Sequence, residues 1–424
     1  MGFIKNYKKL NTSPQRKIVL ELIESALESI QPEHVFKTHF KLERSVLKIL
    51  DQTYNLDDYE RVFLLGFGKG SANNCSIVES ILGNTLTAGH CIDVTDQKFS
   101  KIKFTKGTHP VTSQTNIDFT KNVLNQLSGL TAKDLVLIIT CGGGSALLEL
   151  PTIPLEKKMA VDSALLKANA NIHDMNVVRK HLSKVKGGDL AKVIYPAKVV
   201  NLIFSDVPGN DLTTIASGPT VADPTTQEDA WNVYQKYKLA DKVPLKKDDF
   251  TQTESNPKIF ENVDNILFLS NLTALNAIKQ KAKSLNIDCQ IFSDHFQSEA
   301  INAGIELIKK TKNKQILLAG GETTVNVKGG GIGGRNQELV LSALKNGVGD
   351  TVIVSFDSDG WDNCEFAGAI GDTTTLKKAQ DLNLDMQTFL NSNNTYNFFK
   401  KVGDGLETGR LPSNVSDLMI VYKN

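Results

Sequence analysis

The chain is 424 residues long, 40% hydrophobic and 22% charged, a balance suited to a full core and to two or three domains at about 150 residues each. Lys and Arg total 48 against 47 Asp and Glu, and a net charge of +1 excludes a protein built around attraction to nucleic acid or a membrane surface. Cys75, Cys91, Cys141, Cys289 and Cys364 are scattered and lack C-x-x-C spacing, which excludes a disulfide framework and a cysteine zinc site.

No apolar signal-like run opens the chain, and position 6 is Asn6, not the Ser or Thr of a myristoylation signal. No run of about 18 apolar residues follows, so a cytoplasmic protein is expected. Ser13-Pro14 opens a helix whose apolar positions Ile18, Leu22, Ala26 and Ile30 recur every four residues. Three apolar runs then end in glycine or small polar residues: Arg61–Leu65 before GFGKGS, Asp134–Thr140 before CGGGS, and Val199–Phe204 before SDVPGND. Continuous runs such as LVLIIT suit strands buried on both faces of a parallel sheet. Helical patterns at Ile117–Leu127 and Met175–Lys186 alternate with them, which predicts a three-layer α/β domain with functional loops at the strand C-termini. The polar segment Lys236–Pro257 holds two prolines and no sustained periodicity, and the domain boundary is placed there, giving domains 1–245 and 258–424. Beyond it ILFLS, CQIFS, ILLAGG, VIVSFD and LMIVY read as strands of a second α/β domain, the last of them free to pack on the first.

Glycine loops carry most of the chemical signal. In Gly66-Phe67-Gly68-Lys69-Gly70-Ser71, glycines let backbone N–H groups approach an anion and Lys69 adds a full charge. The stretch is neither a P-loop nor a full G-x-G-x-x-G, and a tight turn with a surface lysine is the alternative. Gly142, Gly143 and Gly144 follow the most apolar strand, where three glycines suit either a ligand lying on the backbone or a close helix–sheet contact. Ser145 falls where a helix cap belongs. The stretch KGGGIGGR, Lys328–Arg335, reads as a loop that closes over a substrate, with Arg335 poised for a carboxylate or phosphate, or else as a flexible loop with a surface arginine.

Carboxylates cluster at Asp357, Asp359 and Asp362, at Asp206 just past a strand, and at Glu322 in GGETT; each group suits a metal, a base or plain turn chemistry. Histidine offers little: His109 precedes a proline, and His181 lies in the basic helix RKHLSKVKGG, either a solvated face or a cationic wall.

Together GFGKG, GTHPVTSQTN, TCGGGSALLELP, NVVRKHLSKVKGGDLA, FSDVPGNDLTTIASGPTVADPTT, AGGETTV, GGGIGGRNQELVLSAL and SFDSDGWDN resemble the class II glycerate kinases (glycerate 2-kinases), from about Gln15 to Asp417. The resemblance implies a Rossmann-like three-layer N-terminal domain with a parallel sheet and a smaller mixed α/β C-terminal domain of MOFRL type. It also implies an active site in the cleft between them. ATP with Mg²⁺ is the implied donor, D-glycerate the acceptor and 2-phospho-D-glycerate the product of direct in-line transfer. Small-molecule substrates are the implied partners, and the chain is expected as a monomer or homodimer. By the same resemblance Lys69 and Arg335 are the site lysine and arginine, and Asp206 and Asp359 supply catalytic and metal-binding carboxylates. Gly66, Gly68, Gly142, Gly143, Gly144, Ser145 and Glu322 line the nucleotide. The chain departs from the family pattern at Cys141, at Asn363-Cys364-Glu365-Phe366 and at Gly409–Val415. Those departures keep open a different small hydroxy acid as acceptor or a non-catalytic hydroxy-acid sensor. An NAD(P)-dependent hydroxypyruvate reductase is the remaining alternative, although its glycine fingerprint is incomplete.

Overall fold

Every residue of the strand Asp134–Thr140 is buried, and a strand without a wet face belongs inside a sheet covered on both sides. In the computed structural model, which describes residues 2–424, that is where it lies. The chain divides into two units, one of residues 36–205 and 210–268, the other of residues 2–35, 206–209 and 269–424.

The first unit opens with a small antiparallel sheet, β1 (Phe40–Glu43), β2 (Val46–Ile49) and β3 (Gln52–Asn55). Its main sheet contains β4 (Arg61–Phe67), β5 (Leu86–Asp93), β6 (Ile102–Lys106), β7 (Asp134–Thr140), β8 (Lys198–Phe204) and β9 (Val263–Leu269). The spatial order is β6-β5-β4-β7-β8-β9, with parallel pairing from β6 through β8. Alternate residues of β4 point to opposite faces. Leu65 and Phe67 pack with Phe119 and Val123 of the helix Gln114–Leu127, whereas Gly66 lies against Cys75 of the helix Ser71–Leu82. Helices therefore cover both faces, as the sequence pattern predicts.

The polar segment 236–257 does not separate domains. Tyr234 donates its hydroxyl to the Val243 carbonyl (2.6 Å) and accepts from the Leu245 N–H (2.9 Å), and Phe250 is buried beside it. The segment wraps a helical satellite of the first unit, and polarity there marks a surface wrap. ILFLS accordingly becomes β9, the edge strand of the first sheet and not a strand of the second.

The second unit has a mixed sheet of β10 (Asp288–Phe296), β11 (Gln315–Gly321), β12 (Thr351–Asp357), β13 (Gly368–Gly371), β14 (Gly405–Leu406) and β15 (Asp417–Lys423). Its order is β10-β11-β15-β12-β13-β14. The final strand lies between β11 and β12, antiparallel to both, and does not return to the first sheet.

The helix Pro14–Ser29 also belongs to this unit, although it stands at the other end of the sequence. Arg16 is fully buried; its Nε and Nη2 bind Asp372 at 2.7 and 2.8 Å, and its Nη1 binds Asp404 at 2.9 Å. Burial acts to raise Asp372, but the hydrogen bond and charge of Arg16 outweigh it and hold that carboxyl below its ordinary range. Removing one side of such a group strands buried charge, so Arg16→Met is expected to destabilise this unit by about 3–5 kcal/mol in urea melts. Because the Asp372 carboxyl is depressed in the folded state, its contribution is present above the unfolded value of about 3.9 and is lost as pH falls below it. Arg16→Met should flatten that acid limb of the stability curve.

Candidate active site

Parallel register places Phe67 at the end of β4 beside Thr140 at the end of β7, so two glycine loops leave the sheet side by side. They interlock through backbone: the Lys69 N–H donates to the Gly142 carbonyl at 2.8 Å, and the Cys141 N–H to Phe67 at 3.0 Å. Gly68 has φ +108°, and any Cβ there would run into the Cys141 carbonyl. Gly66 is set by packing, since a Cβ would overlap Cys75 Sγ, and at Gly144 a Cβ would meet Ala216 at 2.8 Å. The Lys69 side chain is exposed and has no ion-pair partner among the described residues.

Ser145 does not cap a helix. Gly143 (φ +78°) occupies that position, and the Ser145 hydroxyl instead pairs with that of Ser217 at 3.0 Å. Ala216 and Ser217 both hold positive φ, +50° and +62°, a conformation costly for side chains bearing Cβ. Backbone N–H groups of Gly187 and Gly188 fix the segment by donating to Ser217 and Gly218.

One contact escaped the sequence reading. The His109 ring lies over Gly143, its Cδ2 2.7 Å from the place of a Gly143 Cβ. Partial burial and the charge of Lys69 hold this imidazole below its usual range, hence neutral at pH 7. The basic stretch is neither a solvated face nor a cationic wall, and its helix, Ile172–His181, ends before Lys184 and Lys186. Lys180 pairs with Asp223 (3.3 Å), Lys186 with Glu149 (2.7 Å) and Arg179 with Asp162 (3.1 Å), and both lysines are buried. Only Lys184 of its cations is exposed.

In the second unit Arg335 begins the helix Arg335–Lys345. Its Nε and Nη2 grip Asp417 at 2.6 and 3.1 Å, and Nη2 also reaches Glu322 at 2.9 Å and Asp357 at 3.5 Å. Glu322 thus faces the arginine. Burial pushes Asp417 up to about 7 against the pull of Arg335, and burial with Asp417 and Asp359 nearby pushes Asp357 up to about 9. Asp359 donates its N–H to Asp357 (3.0 Å) and accepts from the Trp361 N–H (2.9 Å). The Asp206 carbonyl accepts from Ser416, the neighbour of Asp417, at 2.6 Å. Asp417 was missed because nothing local distinguishes it from any acid at a strand start. A cleft of about 660 Å³ adjoins Arg335, bordered by Thr323, Glu338, Asp357, Trp361 and Asn393.

The loop before Arg335 is tied at its start to the turn at 392–394. The N–H groups of Lys328 and Gly329 donate to Asn393 Oδ1 at 2.7 and 2.9 Å, and a Cβ at Gly334 would overlap Asp362. Gly329 and Gly331 answer to packing against the turn at 392–394, and Gly333 to Thr395, whereas Gly330 faces open space. Among the described residues no group of three or more His, Cys, Asp or Glu is placed to hold a metal by itself, and no helix is long and apolar enough to cross a membrane.

Gly68→Ala combines an unfavourable φ with a backbone clash. A loss of about 1–3 kcal/mol is expected, read as a lowered melting temperature, whereas alanine at the open Gly83 should cost less despite its positive φ.

Two family models match the chain: one described as a domain of unknown function (DUF4147), over residues 18–250, and the MOFRL family, over residues 315–417. The interlocked glycine loops fall in the first and Arg335 with its carboxylates in the second. A glycerate 2-kinase of Pyrococcus horikoshii is 36% identical over 432 residues, covering 96% of each chain. A D-glycerate 2-kinase of Thermotoga maritima is 35% identical over 423 residues, covering 96% of this chain and 97% of that one. The crystal structure of a glycerate kinase from Thermotoga maritima matches with a TM-score of 0.85 at 33% identity, over 96% of this chain and 99% of that one. With its fold, its glycine loops and near full-length similarity to these enzymes, the chain belongs to the glycerate 2-kinase family.

Proposed function

We propose that this enzyme transfers the γ-phosphoryl group of ATP to the C2 hydroxyl of D-glycerate, releasing ADP and 2-phospho-D-glycerate. The observation that carries the reading is the exposed Lys69 on two interlocked glycine loops, in a chain of this family. Phosphoryl transfer asks a protein for position and for charge neutralisation more than for covalent help. Backbone at Gly68 and Gly142–Gly144, free of Cβ atoms, receives the phosphates, and Ser145 and Ser217 offer hydroxyls beside it. Lys69, unpaired at rest, meets the charge that builds on the moving group. The acceptor oxygen attacks in line, its proton passing to a carboxylate, Asp206 or Asp359, as its bond to phosphorus forms, and ADP departs with the electrons of the broken phosphorus–oxygen bond.

Arg335 already shares its charge with Asp417, so its part is directional: Asp417 fixes the guanidinium plane that meets a substrate oxyanion. The fit to Mg²⁺ rests on donor chemistry. Asp206 and Asp359 are part-exposed carboxylates, the hard oxygen donors this ion takes one or two at a time when phosphates and water complete its shell. Bound there, the ion would neutralise phosphate charge.

The test incubates the purified chain with MgATP and D-glycerate, follows ADP and identifies the phosphorylated carbon by NMR. Phosphate on C2 supports the reading; phosphate on C3, or no ADP, overturns it. Lys69→Ala should lower kcat by about 100-fold or more with an unchanged melting temperature, and near-normal turnover in that variant removes Lys69 from the chemistry.

A further inference from the structure

The segment Gly107–Asn116 (GTHPVTSQTN) is tied to the second glycine loop by one buried side chain. Asn116 is fully buried; its Oδ1 accepts from the Thr108 N–H at 3.0 Å, and its Nδ2 donates to the carbonyls of Thr108 and Ala146, both at 2.9 Å. Thr112 adds a second tie, its hydroxyl donating to the same Ala146 carbonyl at 3.0 Å. Ala146 stands two residues beyond Gly144, so the loop and the segment form one body. His109 projects from that body. Its ring covers the side of Gly143 where a Cβ would lie, with Nε2 2.9 Å from that point. The residue is exposed, and its ring has no hydrogen-bond partner among the described residues. A structural histidine is ordinarily buried and satisfied, as His181 is by Thr251 and Thr225. An unsatisfied imidazole at the wall of an anion-type loop is placed for a ligand.

We infer that His109 is a phosphate-binding residue, whose ring N–H donates to the phosphoryl oxygens received by the Gly142–Gly144 loop. The inference rests on the proposed function, which puts phosphate on that loop. A neutral imidazole always carries one N–H donor. Partial burial, with Lys69 nearby, lowers the imidazole below its usual range, which favours the neutral ring and lets the two groups share an anion with little repulsion. Gly143 takes a φ of +78° that favours glycine, and the imidazole lies in the space its missing Cβ leaves.

The experiment uses the full chain, His109→Ala and His109→Gln, and titrates each by calorimetry with the Mg²⁺ complex of a non-hydrolysable ATP analogue, with tripolyphosphate and with adenosine. A hydrogen bond to a charged acceptor corresponds to roughly 10–100-fold in affinity. His109→Ala should lose that much for the analogue and for tripolyphosphate, with adenosine binding and the KM for glycerate unmoved. His109→Gln, which keeps an N–H at similar reach, should recover most of it. Unchanged analogue binding in His109→Ala overturns the inference, and so does an equal loss in both variants accompanied by a lowered melting temperature. The two readings separate cleanly. If the wild-type chain binds tripolyphosphate yet forms no phosphoglycerate, the proposed function fails while the calorimetry still decides on His109. If it forms 2-phosphoglycerate and His109→Ala binds the analogue normally, only the inference on His109 fails.

Discussion

Parallel pairing of β4 and β7 brings the chain out of the sheet twice at one place, and the two exits are close enough to share backbone hydrogen bonds. Everything distinctive about the first unit follows from that separation. Between Gly68 and Cys141 there is no room for a side chain, so the turn must be glycine and must take positive φ. Once Lys69 donates its N–H to Gly142, the two loops hold one another and the lysine side chain is left outside with nothing to pair with. The same economy of space recurs at Gly143, where His109 takes the place of a methyl group, and at Gly144, where Ala216 does. The strain at Ala216 and Ser217 persists because the backbone of Gly187 and Gly188 fixes it. Strained residues held in this way tend to cluster at working sites.

The second unit is organised by buried charge. Two arginines, Arg16 and Arg335, each meet two or more aspartates, with opposite consequences. Arg16 has no exposed surface and its two aspartates consume its donors, so it joins the N-terminal helix to strands and helices some 350 residues later (Asp372 is 356 away in sequence). Arg335 is part-exposed at a helix start beside a cleft, and its carboxylates outnumber it. Burial raises Asp357 and Asp417 toward their protonated forms, which relieves the excess of negative charge that three acids around one guanidinium would otherwise impose.

How much of this was legible in the sequence depended on the range of the interaction. The glycine loops stood out because closely spaced glycines are costly in a chain that must fold, and a largely apolar strand preceded each of the first two. The parallel sheet followed from the same runs. The boundary at 236–257 was misread because polarity marks exposure, and a segment wrapping a satellite core is as exposed as a linker; Tyr234 and Phe250 anchor it by contacts that no local pattern announces. The placement of residues 2–35 with the C-terminal unit turns on Arg16, an unremarkable charge in an amphipathic helix until its partners are known. His109 was passed over for the same reason: what makes it noteworthy is Gly143, 34 residues on and brought to it only by folding. The loop Lys328–Arg335 failed in the other direction. Five glycines suggested motion, yet Gly329 and Gly331 allow close contact with the turn at 392–394.

For the proposed reaction, the contrast between Lys69 and Arg335 bears on how the chemistry would be divided. A cation that is to respond to charge arriving in a transition state does most when nothing in the ground state already uses it. Lys69 meets that condition: exposed, without an ion pair, and carried on backbone that cannot move without breaking the hydrogen bond to Gly142. Arg335 does not, because any oxyanion it binds must compete with Asp417 at 2.6 Å. Its value lies in geometry that Asp417 fixes beforehand, and a lysine there would lose the planar fork that addresses Asp417, Glu322 and a ligand together. Under the proposed reaction the lysine would supply the differential stabilisation and the arginine orientation, a division that follows from which charges each unit has already neutralised.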